Sequence, residues 1–178
     1  MLPERFRQAS QPMASRPHMP GYGILDAASG LGLLPWSWAV ERLAPARTYW
    51  LSTTRPDHRP HAMPIWGVWM DSVFCFSTGE HSRKARNLES IPYCVVSVMA
   101  GEDSVALEGV VRTAEDAELR RAFAATYSEK YQWDMGSFTD AIYVTWPVAA
   151  YGFSAAAGEF TGSATRWTFA ATEWNRQP

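Results

Sequence analysis

At 178 residues and a formal net charge of -2, the chain has the size of one domain and no bulk field that would draw nucleic acid or an anionic membrane. Nine Trp, seven Tyr and eight Phe suit a β-rich core or a pocket for a flat ring, and core packing accounts for most of them. No apolar run reaches the roughly 18 residues that a membrane helix needs, and two cysteines inside apolar runs, Cys75 and Cys94, read as buried thiols of a cytoplasmic protein.

Taken in chain order, residues 1–34 carry Pro, Gly, Ser, Gln and Arg without a sustained period and are expected to form an extended N-terminal arm. Within that arm, "PGYGILD" and "GLGLLPW" are apolar enough to pack against a neighbour. "PWSWAVERLA" predicts a short amphipathic helix with Pro35 in its first turn and Trp36, Val40 and Leu43 on one side. From Arg47 the pattern becomes β: "RTYWLSTT", the turn "RPDHRP", "HAMPIWGVWM", the turn "DS" and then "VFCFST". Pro64 and Gly67 predict a bulge, a bend or a close approach within the second of these strands. A short helix is expected in "SRKARNL", followed by strands "YCVVSVM" and "SVALEGVVRTA" joined by "AGED".

Thr113 is the expected N-cap of the next helix, with Asp116 completing a capping box. Leu119, Phe123 and Tyr127 should face the core, and the helix should end near Tyr131. "AIYVTWPVAAYGFS" reads as a strand with a proline break, and "SATRWTFA" as a short terminal one. Antiparallel strands with short turns and few helices predict a mainly β fold over residues 35–178, a meander closing into a barrel with peripheral helices.

Chemistry concentrates in "STGEHSRKARNL", Ser77 to Leu88. A strand delivers Ser77 and Thr78 to its end, "GEH" turns the chain, and Ser82 is a good N-cap. Amides at a helix N-terminus point outward with partial positive charge, which suits a phosphate. Arg83 and Lys84 then add cations to a first turn where the helix dipole alone prefers acidic residues. A bound anion would reconcile them; a solvated basic turn is the plain alternative.

That stretch, with "RTYWLSTTRPDHRPHAMPIWGVWMDSVFCFSTG" before it, resembles the FMN-binding split-barrel family of pyridoxamine 5'-phosphate oxidase-like proteins, in particular its flavin/deazaflavin oxidoreductase branch. The resemblance covers about residues 36–111 and, more loosely, "SATRWTF". It implies a dimeric split β-barrel with cofactor sites at the subunit interface. In that arrangement Arg83 and Lys84 would hold the cofactor phosphate, helped by the hydroxyls of Ser77, Thr78 and Ser82. Asn87 would orient the loop or reach a cofactor oxygen. Met63, Pro64, Ile65 and Trp66 would lie along the flat ring, largely through backbone groups. Arg166 and Trp167 would be the C-terminal contribution, often from the second subunit. The implied cofactor is FMN, with the deazaflavin coenzyme F420 as the alternative. For the latter, Arg47, Arg55 and Arg59 would line a groove for its acidic tail.

Two departures separate the chain from the family pattern. The first hairpin turns on Asp57-His58 where many relatives carry Asp-Gly, so His58 is either strained or in another turn type. The C-terminus lacks the basic pattern of the vitamin B6 enzymes, which argues against that reaction. His61, alternating with Met63 and Ile65, is expected to be structural, and His81 to stand beside the phosphate turn. Zinc-hydrolase spacings, a P-loop and a G-x-S-x-G motif are all missing from the sequence. The function expected is a flavin- or deazaflavin-dependent oxidoreductase acting on a small organic substrate. A non-catalytic flavin, heme or bilin carrier is the alternative.

Overall fold

Nine antiparallel strands and four short helices make up the computed structural model, which describes residues 4–6, 11–135, 140–155 and 159–175. The strands are β1 (Met13–Ser15), β2 (Tyr49–Thr54), β3 (Pro60–Ile65), β4 (Gly67–Met70), β5 (Val73–Ser77), β6 (Tyr93–Ala100), β7 (Asp103–Thr113), β8 (Ile142–Ser154) and β9 (Thr165–Thr168). The helices are α1 (Trp36–Leu43), α2 (Arg83–Ser90), α3 (Ala117–Tyr131) and α4 (Phe160–Ser163). The sheet runs β1-β9-β8-β7-β6-β2-β3, and the long β8 pairs through its first half with β5, which carries β4.

The chain leaves β3 at Ile65 and enters β4 at Gly67, so the two outer strands of this order are joined through Trp66 alone. The sheet therefore curls into a barrel whose hydrogen-bond ladder is split between β3 and β4. "HAMPIWGVWM", expected as one irregular strand, is thus two strands with different partners: β3 pairs with β2 and β4 with β5. Gly67 permits the crossing, because a Cβ there would collide with the Phe74 ring and stand 2.8 Å from the Cys75 carbonyl oxygen.

Period-two burial places Tyr49, Leu51 and Thr53 of β2 inside, with Trp50 outside at 49% exposure. One core cluster fills the barrel around Tyr49, Leu51, Phe74, Phe76, Leu107 and Trp167. A second lies between β4, β5, β8 and α3, around Val68, Phe123, Val144 and Trp146. Cys75 and Cys94 are free and fully enclosed, and burial raises both thiol pKa values, that of Cys94 to about 12. Neither is a reactive thiolate at neutral pH.

Local details correct several expectations. Asp116, not Thr113, caps α3: its carboxylate accepts from the Glu118 and Leu119 amides, while Thr113 is still extended and paired with Tyr143. Pro147 does not end β8; it falls where the β7–β8 register shifts between Glu108 and Gly109, a bulge that tolerates the missing N–H. His58 adopts φ 64 in the β2–β3 hairpin, where the His58 amide donates to the Arg55 carbonyl at 2.8 Å and the Arg55 amide to that of Arg59 at 2.9 Å. This is a three-residue hairpin loop with a non-glycine in the left-handed position.

The described part of the arm is docked: β1 pairs with β9, and the Arg16 guanidinium donates to the carbonyls of Asp26, Ser29, Gly162 and Ala164. The remainder of the arm, residues 1–3 and 7–10, lies outside the described residues, as do 136–139 in the loop "QWDMGSFTD". Among the described residues, no helix is long and apolar enough to cross a membrane.

Candidate functional site

The end of β5 delivers the chain into the turn before α2, and Ser82 caps that helix as its sequence predicts. The Ser82 Oγ accepts from the Ala85 amide at 3.2 Å and from the Thr78 hydroxyl at 3.2 Å, which fixes the first turn of α2. Asn87, one turn on, is fully buried, and its Nδ2 donates to Thr53 Oγ1 at 2.9 Å. That bond ties α2 to β2. Across the hairpin, the Thr53 hydroxyl donates to the His61 carbonyl and lies 3.4 Å from His61 Nδ1.

This packing carries the basic first turn of α2 to the β2–β3 hairpin. The His61 pKa is lowered, first by burial and then by the charges of Arg55, Lys84 and Arg83, so three cations from two elements converge on one imidazole. Burial lowers the Lys84 pKa as well. Among the described ion pairs none involves Arg55, Arg83 or Lys84. Arg55 Nε and Asn87 Oδ1 are buried without a hydrogen-bond partner. A like-charged cluster holding a buried, unsatisfied donor is what a site built for an anion requires, and the donor set fits a phosphate.

Beside the cradle runs the open edge of β3. Its register to β2 turns the backbone groups of residues 60, 62 and 64 toward that edge, since Pro60 and Pro64 have no N–H to give to β2. Met63 and Trp66 are 44% and 47% exposed, Pro64 is exposed, and Ile65 is buried. Trp66 stacks on Tyr131 with centroids 4.8 Å apart and planes 4° from parallel. The Tyr131 hydroxyl accepts from the Gly67 amide at 3.0 Å and lies 2.8 and 2.9 Å from the carbonyls of Gly67 and Arg47. Lys130 Nζ donates to Tyr49 Oη at 2.8 Å and to the carbonyls of Ala44 and Gly67. Burial, and then the nearby Arg47, lower its pKa to about 8. These bonds hold the bend at Trp66 firmly.

The expected site residues separate into groups. Thr78, Ser82, Arg83, Lys84 and Asn87 come together around the first turns of α2, and Met63 to Trp66 form the adjoining edge. Ser77 turns away, donating to the Ala141 carbonyl at 2.8 Å. Trp167 is a correction: its ring is fully buried, packed against Trp36, and its Nε1 donates to the Leu34 carbonyl at 3.2 Å, leaving no surface for a cofactor. Arg166 lies on β9 opposite Tyr151, beside a small cavity of about 350 Å³, and β9 is separated from β3 by four strands of the sheet. His81 is solvent-exposed beside Glu80 at 3.3 Å, and Arg86 donates to the His81 carbonyl.

Sequence reasoning missed Thr53 and His61 as parts of the site. The signal lay in the pairing of "LSTT" with "HAMP", which puts the two side chains opposite each other once the loop is known to hold three residues. Among the described residues, no group of three or more His, Cys, Asp or Glu side chains could hold a metal ion.

Comparison with known proteins agrees with this fold. The family model for pyridoxamine 5'-phosphate oxidase matches residues 39–150, well over half of the chain. Among solved structures, an F420 reductase superposes with a TM-score of 0.54 at 22% identity, covering 66% of this chain and 98% of that one. HutZ, the heme storage protein of Vibrio cholerae, gives 0.53 at 19% identity, covering 63% and 86%. General stress protein 26 of Bacillus anthracis gives 0.54 at 22% identity, covering 66% and 92%. No curated protein matches the chain at a significant level. The likenesses are those of the split-barrel fold, and the matched segment runs from within α1 to within β8, with α2 and α3 inside it. By fold and by sequence, the chain belongs to the pyridoxamine 5'-phosphate oxidase family.

Proposed function

We propose that this protein is an oxidoreductase that binds FMN in the cradle between α2 and the β2–β3 hairpin and acts on a small organic substrate. One observation carries the reading: Arg55, Arg83 and Lys84 converge on His61 with no described carboxylate among them. Those cations, with the Thr78 and Ser82 hydroxyls, hold the phosphate. The exposed edge from Met63 to Trp66 flanks the ring and excludes water from one side of it. When bound, the flavin supplies the hydride chemistry, and the protein supplies position and electrostatics.

FMN is favoured over F420 by the state of the outer arginines. Arg59 is paired with Asp57 at 2.7 Å, and Arg47 donates to the Lys130 carbonyl at 2.7 Å, so of the three only Arg55 remains for a longer acidic tail. We further propose a homodimer. The outer sheet face carries Trp50, Tyr93 and Met99, all exposed, an apolar surface that a second copy would cover.

Changing Arg83 and Lys84 together to alanine should weaken FMN binding by about 2–4 kcal/mol, the scale of lost charge-assisted hydrogen bonds. Calorimetric titration showing unchanged affinity would refute the cradle. A second reading, heme binding without turnover, draws on His61, whose lowered pKa keeps the imidazole neutral and able to ligate iron at the same site. The absorption spectrum of the protein after exposure to each cofactor separates them: flavin bands support the first reading and a Soret band lost in His61→Ala supports the second.

A further inference from the structure

On the far side of α2 from the phosphate cradle lies an open cavity of about 1060 Å³. It exists because β6 stops pairing with β7 at Val110, while β7 and β8 continue together to Thr113 and Tyr143. The ends of those strands, the outer face of α2 and the start of α3 become its walls.

Aromatic rings form one of its walls. Trp146 and Trp174 stack with centroids 5.3 Å apart and planes 20° from parallel, and Phe6 packs on both at 5.8 and 5.3 Å. The rim has the opposite charge to the cradle: Glu80, Glu89, Glu115 and Asp116 line it, against the single described cation Arg112. Arg112 is tied to the wall, donating to the carbonyls of Trp174 and Glu173. Asp116 is held by its capping bonds and Glu80 stands 3.3 Å from His81 Nε2, so Glu80, Glu89 and Glu115 carry the acidic charge of the rim.

Tyr143 connects rim and wall. It is 8% exposed, lines the cavity, stacks on Phe76 at 5.3 Å, and its hydroxyl has no described hydrogen-bond partner. Its pKa is raised by burial and then by the charges of Glu80, Glu89 and Asp140, and the first two line the same cavity. The ring is buried, but the hydroxyl at its end is open to a cavity that Glu80 and Glu89 also line, where it can accept from a bound donor.

We propose that this cavity is a second ligand site, separate from the phosphate cradle, and that it takes a small aromatic molecule bearing a protonated amine. The rings supply apolar area and attract a cation over their faces. Glu80 and Glu89 supply the charge, and the Tyr143 hydroxyl receives an ammonium hydrogen. The volume matches the upper end of ordinary small-molecule pockets, roughly 300–1,000 Å³. The proposal does not depend on the flavin reading, since α2 turns Asn87 toward β2 and the cradle, and Ala85 and Glu89 toward the cavity.

Two probes of the same shape test it: 1-naphthylmethylamine, charged at neutral pH, and the neutral 1-naphthalenemethanol, each titrated calorimetrically into the full chain with and without excess FMN. The amine should bind about fivefold more tightly than the alcohol, as expected for solvent-exposed carboxylates. Glu80→Gln with Glu89→Gln should erase that preference, and Trp174→Ala should weaken both probes. FMN should displace neither. Equal affinities, a preference that survives in the double variant, displacement by FMN, or no binding of the amine would each overturn the proposal.

Discussion

His61 sits where Arg55, Lys84 and Arg83 meet, and that fixes the direction in which its proton moves. Burial and three positive neighbours hold its pKa below the usual value of about 6.5. The folded state thus binds this proton less readily than the unfolded chain does. The resulting stability is fully present above the ordinary histidine pKa and is lost as pH falls through the lowered folded one. An anion in the cradle reverses the field. In a histidine-resolved NMR titration, inorganic phosphate should raise the His61 pKa, and phosphate affinity should increase as pH falls. A pKa that phosphate leaves in place would separate His61 from the cradle. Little of this was legible in the sequence. Alternation placed His61 on the same strand face as Met63 and Ile65, but the cations that surround it lie on α2. The bond that brings α2 there, from Asn87 to Thr53, joins residues 34 positions apart.

Among the elements, the passage from β3 to β4 decides the architecture. Gly67 faces the Phe74 ring and the Cys75 carbonyl, so Gly67→Ala should cost about 1–3 kcal/mol of stability by forcing the strands apart. Gly79, whose Cβ would meet open space, provides the control, and Gly79→Ala should leave the denaturation midpoint nearly unchanged. The sequence flagged this strand through Pro64 and Gly67, yet a change of strand partner is a tertiary event, and local pattern reports only the irregularity. The start of α3 has a similar lesson. Thr113 and Asp116 have the spacing of a capping box, but β7 holds Thr113 in its ladder with Tyr143. The cap therefore falls to the next suitable carboxylate, Asp116.

For the whole molecule, α2 divides two fields of opposite sign within a chain whose formal charge is only -2. Bulk charge reported neither, because the clusters nearly cancel. The barrel itself was readable, since its strands alternate and its turns are marked. The aromatic content divides as the composition suggested, mostly into core, with Trp50 left on the outer face. If that face pairs two copies, Trp50→Asp should turn a dimer into a monomer in sedimentation and weaken FMN binding as well. A protein already monomeric before substitution would overturn the dimer proposal. The open edge of β3 has one further consequence. Pro60 and Pro64 leave Ala62 as the only amide hydrogen among the three positions that face outward. An incoming strand from another chain finds a template with most of its donors removed, which disfavours fibril-like stacking from this side of the sheet. An edge free to lie against a flat ring is in this way made a poor start for self-templating growth.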